Sequence, residues 1–431
     1  MNGPLGNPCF VRLLVGQTVS AFGDSALYLS LAIWAKDLTG SDAAAGLVLL
    51  SLAAPGLAAP FFGHLVDRVR RKRLLLITHA AMGLLVLSLL AVRSAEQLWI
   101  IHLVAAGHGV IGVIPAHHAL LKDVLPSAEA AAARSWLITS RQGVRIVSPA
   151  VGAAVCTAAG GGALALVNAA TFAVALATLA GLRVAESPPE RRGGEPVRRA
   201  MLAGFRHVRD LPLLRRLTLT QAAFMAVAGL VETAAFAAIE ALGRPPAFFG
   251  VVVAVQGAGS VVAGLLAVVL VGRAGEALTA GLAYACLATG MLLCAMPSLP
   301  LFLAGAVLIG MGLPLMSVSL GIAQHLYTPP RLQGRVGAAV VMLCDGAQTL
   351  SIAAGAALIG LVDHRLLYVT VAAVAVLCAA AVVTDRPPSP AIAPSPADRT
   401  PAPPAVSLPP APDTWAACCS RSADHSPDAP R

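Results

Sequence analysis

Two stretches, 74–92 and 366–383, run from end to end without an Asp, Glu, Lys or Arg. Each is about as long as the roughly 18–20 apolar residues that cross a bilayer as one helix. Neither has the polar face that a helix on a water-soluble core would keep. Composition agrees: 57% of the 431 residues are hydrophobic and only 12% are charged. Soluble domains carry about 25% charge, so most of this chain does not face water.

The same pattern recurs twelve times, near 12–36, 44–66, 73–93, 97–121, 134–158, 163–182, 213–241, 247–271, 277–296, 299–324, 335–361 and 365–384. The expected fold is an all-α polytopic membrane protein with twelve transmembrane helices in two six-helix halves. Lys and Arg in short loops set orientation. Arg68, Arg70, Arg71, Lys72 and Arg73 follow the second span, Lys122 and Arg134 the fourth, nine arginines fall between 183 and 216, and Arg331 and Arg335 follow the tenth. The other side has mainly Lys36, Arg93, Arg244 and Arg365. This asymmetry puts both termini in the cytoplasm of a cell membrane protein.

Segment 183–212 divides the chain into halves at 1–182 and 213–385. Its "ESPPERRGGEPVRR" reads as a linker. The following "RAMLAGFRHVRDLPLLRRL" reads either as a basic amphipathic helix on the inner leaflet or as a solvated connector. From Arg386 to Arg431 the chain is dominated by Pro, Ala and Ser, the composition of a disordered tail. A weak repeat relates 37–68 to 240–273: an acid three residues before a Gly, a second Gly, and a small-residue span ending in Arg. Repeated halves are a transporter architecture whose substrate site lies between them.

The net charge of +9 sits in loops beside apolar runs, which points to membrane orientation and not to nucleic acid. Five of the eight cysteines lie inside apolar runs, where they act as small hydrophobes. There is no Walker "GxxxxGK[ST]" pattern, no catalytic triad, no metal spacing and no cleavable signal pattern, so no enzyme activity, metal or cofactor is expected.

"GHLVDRVRRKR" (63–73) resembles the signature loop of the major facilitator superfamily, matching at Gly63, Asp67, Arg68, Arg71 and Lys72. "LLVGQTVSAFGDSALYLSLAIWAKDLTGS", "GVRIVSPAVGA", "LVNAATF" and "YTPPRLQGRVGA" resemble its macrolide-efflux and enterobactin-exporter-like branch. Ser148 stands where the antiporter-type motif of the fifth helix has Gly before Pro149. The resemblance implies a fold of two rocking bundles, and export.

Gly63 removes a side chain where a helix of the other half can approach. In the family, the eleventh helix begins beside this loop; here its first turn is Gly334–Val336. A helix N-terminus carries about half a positive charge and Arg335 adds a whole one, so Asp67 is expected to latch the cytoplasmic gate. A plain orientation anchor accounts for Arg70 to Arg73 but not for Asp67.

An ion inside a span costs roughly 2.5–3.5 kcal/mol on insertion scales and is a functional hypothesis by default. Asp24 lies mid-way along the first span; Arg141 and Arg145 share a face of the fifth. Asp24 is expected to pair with Arg145 or Arg141, as a protonation switch or as a fixed pair orienting the two helices. Glu232 and Asp345 are the other intramembrane acids, with Glu232 expected on the central cavity; each reads either as a coupling group or as a hydrogen-bonded interior carboxyl. Gln17, Gln221, Gln256 and Gln324 either line that cavity or bond neighbouring helices. His102, His108, His117, His118 and His325 read as interfacial.

The expected function is proton-coupled export of a small amphiphilic molecule by alternating access, by a monomer in the lipid bilayer. A proton-coupled importer and a transport-inactive scaffold are the alternatives. Sidedness is directly measurable: Cys418 and Cys419 should react with a membrane-impermeant maleimide only after permeabilisation, whereas labelling of intact cells would invert the topology.

Overall fold

A computed structural model describes residues 4–58, 69–113, 127–182, 197–329 and 332–384. Those residues are helical throughout, with no strand among them. The long helices are α1 (Pro8–Thr39), α2 (Asp42–Ala53, prolonged by a 3-10 turn Ala54–Ala58), α3 (Arg71–Leu87), α4 (Leu98–Val113), α5 (Ser127–Ala180), α6 (Val197–Asp210), α7 (Pro212–Ala241), α8 (Phe249–Cys294), α9 (Leu299–Tyr327), α10 (Gln333–Leu358) and α11 (His364–Val383). α5 and α8 are each two helices meeting at a glycine: Gly160 has φ 80 and ψ 165, Gly275 φ 79 and ψ 168. Only glycine adopts that backbone without strain. The breaks fall between the fifth and sixth, and the eighth and ninth, expected spans. The helical segments therefore account for all twelve, plus the connector α6.

Local chemistry sets the ends. Asn7 caps α1, accepting from the Cys9 and Phe10 amides at 2.9 and 3.3 Å, with Pro8 at the first helical position. Gly40 ends it in the left-handed conformation, φ 68, and Ser41 caps α2. Gly243, after α7, has the matching φ of 69, so both corners of the sequence repeat turn alike. Lys72 donates to the carbonyls of Ala180 (3.3 Å) and Leu182 (2.5 Å), so one base of the "RVRRKR" run holds the C-terminal end of α5.

Eight segments among the described residues are long and apolar enough to cross a membrane. α1 is not one of them, for it carries Gln17, Ser20, Asp24 and Ser30. One face of it packs closely on protein instead. Gly16 and Gly23 meet Thr178 and Thr171 of the second arm of α5, and Gly152 of the first arm lies against the backbone of Ala26. Gly310 of α9 lies in the same way on the backbone of Gln256 of α8. Between membrane helices packing is van der Waals contact, which small residues maximise.

Met1–Asp385 forms one compact unit. Its largest buried cluster, built on Phe224, Tyr284, Leu287, Phe302 and Tyr368, draws only on residues after 207. A second cluster, with Leu31, Val48, Ile101 and Phe172, belongs to α1–α5, but Phe236 of α7 and Ile352 of α10 are buried in it too.

The connector helix stops at Asp210, because Pro212 opens α7 at its first position; the expected helix through Leu217 is two helices. α6 docks on protein: Gly204 abuts the Arg335 carbonyl, His207 Nε2 is 3.3 Å from the Tyr327 carbonyl, and Val208 is buried. Arg206, Arg209 and Leu202 remain exposed.

A matched pair of substitutions tests the glycine contacts. Gly152→Ala sets a methyl into the α1 backbone and should cost about 1–3 kcal/mol of stability. Gly264→Ala, with open space around it, should leave thermal unfolding of the purified chain unchanged or raised. Equal melting of the two variants would remove the close-packing argument.

Candidate functional site

Lys36 lies in the last turn of α1 and Asp42 in the first turn of α2, so the tight corner at Gly40 brings the cation to the acid. Both charges also suit their helix ends. Lys36 Nζ is 2.6 Å from Asp42 Oδ1 and, from the same nitrogen, 2.7 Å from Glu240 Oε2 at the end of α7. Its side chain is only 7% exposed, against 69% for Glu240. One buried ammonium thus joins the halves. Below it, Phe236 packs edge-on to Phe249 at 4.8 Å between ring centroids, and Lys36 Nζ stands 5.9 Å from the centre of the Phe236 ring. Gly46 of α2 admits Thr233 and Ala356; a methyl there would fall 2.7 Å from Thr233 Oγ1 and 3.0 Å from Ala356 Cβ. The halves therefore close at the end of the bundle opposite the N-terminus. Sequence reading counted Lys36 only as a minority loop charge. The repeat carried the missing signal, since it aligns the corner "DLTG" with "EALG" and so sets Glu240 opposite the turn after Lys36.

The inter-half contact continues along α10. Thr349 Oγ1 is 3.5 Å from the Ala53 carbonyl, and Gly346 faces Leu57. Asp345, one turn before Thr349, shares that face and is exposed. Glu232 is a hydrogen-bonded interior carboxyl, one of its two expected readings. Its Oε1 accepts a 2.7 Å hydrogen bond from Gln348 Nε2. Gly229 and Gly355 let α7 and α10 approach backbone to backbone, which brings the two side chains within reach. Gln348 was not anticipated.

The expected pairing of Asp24 with Arg145 rests on a side chain outside the described residues, and Arg141 is exposed. The group placed against Asp24 is His108 of α4, Nε2 to Oδ1 3.4 Å, with side chains 7% (His108) and 31% (Asp24) exposed. His108 is thus an interior residue and not an interfacial one: α4 packs alongside α1 and turns it inward.

The remaining candidates are dispersed. Gln17 Nε2, Gln221 Oε1 and Gln324 Nε2 are buried without a protein partner; Gln256 is half-buried. Arg335 is half-buried at the start of α10 and has its own interaction. Gly63, Asp67 and Arg68 lie outside the described residues, as does the Arg71 side chain, so the expected Asp67 contact with the start of α10 does too. Among the described residues no cluster of His, Cys, Asp or Glu could hold a metal ion.

Twelve helical segments, an inter-half seal and scattered interior acids are what a carrier with alternating access requires. The family profile of the Major Facilitator Superfamily matches residues 13–243 and 217–422, and the chain belongs to that superfamily. It is 26% identical over 368 residues, 81% of this chain and 86% of the relative, to the "uncharacterized MFS-type transporter YfiS" of Bacillus subtilis (strain 168). Its fold is that of a bacterial homologue of the iron transporter ferroportin in an inward-facing state (TM-score 0.67, 15% identity, covering 87% of this chain and 98% of that one). The nucleoside transporter NupG is similar to it at TM-score 0.66 and 13% identity over the same shares. The protein is a polytopic membrane transporter of a small molecule, not an enzyme.

Two substitutions separate the elements of the seal. Lys36→Met strands Asp42 and should weaken closure by about 1–3 kcal/mol, below the full cost of breaking a buried pair because the acids are partly solvated. Glu240→Gln, at an exposed position, should cost under about 1 kcal/mol. The readout is alkylation of Thr349→Cys from the Lys36 end of the bundle, faster with Lys36→Met and little changed with Glu240→Gln. No acceleration with Lys36→Met would remove its latch role.

Proposed function

We propose that the protein is a proton-coupled exporter of a small amphiphilic molecule, such as a drug or natural product, in the cell membrane. The observation that carries this reading is the inter-half seal at Lys36, Phe236 and Gly46, combined with an exposed acid, Asp345, further along the same contact face. With both termini cytoplasmic, as the loop charges indicate, the seal closes the outer side. Cargo would then enter between 1–182 and 213–385 from the cytoplasm or the inner leaflet. Largely apolar inner faces with few polar groups suit an amphiphile.

Protonation resets the carrier. Asp24, Glu232 and Asp345 are carboxylates that can gain and lose a proton as the two sides alternate. Release of Lys36 opens the outer side. Asp67 with the start of α10 forms the opposing cytoplasmic latch. The direction of transport follows from the resemblance of the first, fifth and sixth spans to the macrolide-efflux branch. Each protomer has both halves, so a monomer suffices, and the tail 386–431 is dispensable for transport.

Everted vesicles with an acidic interior should accumulate a macrolide or an amphiphilic dye in a protonophore-sensitive way. Asp24→Asn should abolish the pH dependence, Asp67→Asn should slow turnover at least tenfold with normal insertion, and deletion of 386–431 should leave accumulation intact. Uptake into right-side-out vesicles driven by an inward proton gradient would make the protein an importer instead.

A further inference from the structure

The contact between Asp24 and His108 does not satisfy either group without a proton. His108 Nδ1 lies 3.0 Å from the carbonyl of Val104, one turn back on α4. A carbonyl oxygen only accepts, so Nδ1 carries a hydrogen and is committed to that bond. In neutral His108 the other nitrogen, Nε2, is then a bare lone pair. Nε2 faces Asp24 Oδ1 at 3.4 Å, and both atoms are buried and lack a hydrogen-bond partner. Two lone pairs facing each other repel. One proton turns the contact into a hydrogen bond, on either atom: imidazolium with carboxylate, or imidazole with carboxylic acid.

The surroundings are built to hold such a proton away from lipid. Phe172 lies between His108 and a second imidazole, His79 of α3, at 6.1 and 5.7 Å between ring centroids. His79 is buried, and its Nδ1 is committed in the same way, to the Leu75 carbonyl at 2.8 Å. One turn from Phe172, Asn168 is fully buried with neither side-chain atom bonded, and its Nδ2 lies 3.0 Å from where a methyl on Gly23 would be. Asn168 thus adds two more buried polar atoms without a hydrogen-bond partner to His108 Nε2 and Asp24 Oδ1. His79 of α3 interacts electrostatically with Asp24, and of the helices packed on α1, α4 carries His108 and the first arm of α5 carries Arg141 and Arg145. Arg141 is exposed, and the Arg145 side chain lies outside the described residues. The second arm contributes Asn168 and Thr171, which do not titrate.

We propose that Asp24 and His108 bind a single shared proton, and that this pair is the first half's coupling site. The proton arrives from water on the open side: a hydronium O–H bond breaks, an Nε2–H bond forms on His108, and water leaves. The imidazolium then donates to Asp24. Opening of the opposite side hydrates the pair and takes the proton back. The inference deepens the proton-coupled reading above. It gives Asp24 a neighbouring base that titrates, whereas a guanidinium remains charged throughout.

The test reads protonation and not transport, so the two readings can fail separately. The full-length protein in lipid bilayers is titrated with pH and followed by infrared difference spectroscopy. The Asp24 carboxyl band is identified by its loss in Asp24→Asn. In His108→Gln, loss of the imidazolium should move the midpoint of that band upward by more than one pH unit, a more than tenfold change in proton affinity. In Asp24→Asn, the midpoint of the His108 nitrogen resonances should fall by the same amount, because linkage is reciprocal. The second variant stands by itself if the first does not fold. An Asp24 band that ignores His108→Gln, or His108 resonances that ignore Asp24→Asn, would overturn the shared proton. A reciprocal shift in a carrier that ignores proton gradients would keep the site and overturn the exporter mechanism.

Discussion

Hydrocarbon offers a peptide group no hydrogen-bond partner, so a chain immersed in it must satisfy its backbone locally. That requirement selects helices and puts the non-helical backbone at caps and at glycine breaks such as Gly160 and Gly275. It also removes the hydrophobic effect as a force between helices. What remains is close contact at small residues and shared charge. Gly152 on Ala26, Gly310 on Gln256 and Gly229 on Ile352 supply the first. Lys36, Glu232 and Asp24 supply the second.

The two kinds of contact divide between two tasks. Within each half, backbone-to-backbone glycine contacts and large buried aromatics such as Tyr284 and Phe172 make a body that moves as a unit. Between the halves the join is lighter: one buried lysine, an aromatic pair and a stripe of small side chains at Gly46 and Ala356. In the proposed cycle, a join that opens and closes has to be worth little more than the cargo and proton can offset. A lysine held between two partly solvated acids meets that condition better than a deeply buried pair, whose rupture would cost several kcal/mol.

Much of this was legible beforehand. Apolar runs gave the number of spans, and the repeat paired two corners that turn alike; the helix start at Pro212 went unread, and the connector was taken as one helix across it. Side-chain partners were harder to read. Asp24 is conspicuous in any hydropathy trace, and sequence points to arginines on a helix of matching depth, of which the Arg145 side chain lies outside the described residues. His108, which faces Asp24, is distant in sequence and weakly marked by periodicity. Gln348 was missed as the partner of Glu232 because a glutamine in a span is a weak signal until another helix brings an acid to it. Lys36 was missed because a single basic residue at a loop reads as noise in a charge count.

The sequence alone determined the solvent, and with it the helices and their number. Those follow from properties of single residues and their neighbours along the chain. Only the tertiary structure decided which ions meet: Lys36 with Glu240 across the halves, and His108 with Asp24 inside one of them. Such a pairing depends on the rotation of each helix about its own axis, which glycine contacts on other helices fix, and no stretch of sequence contains that angle.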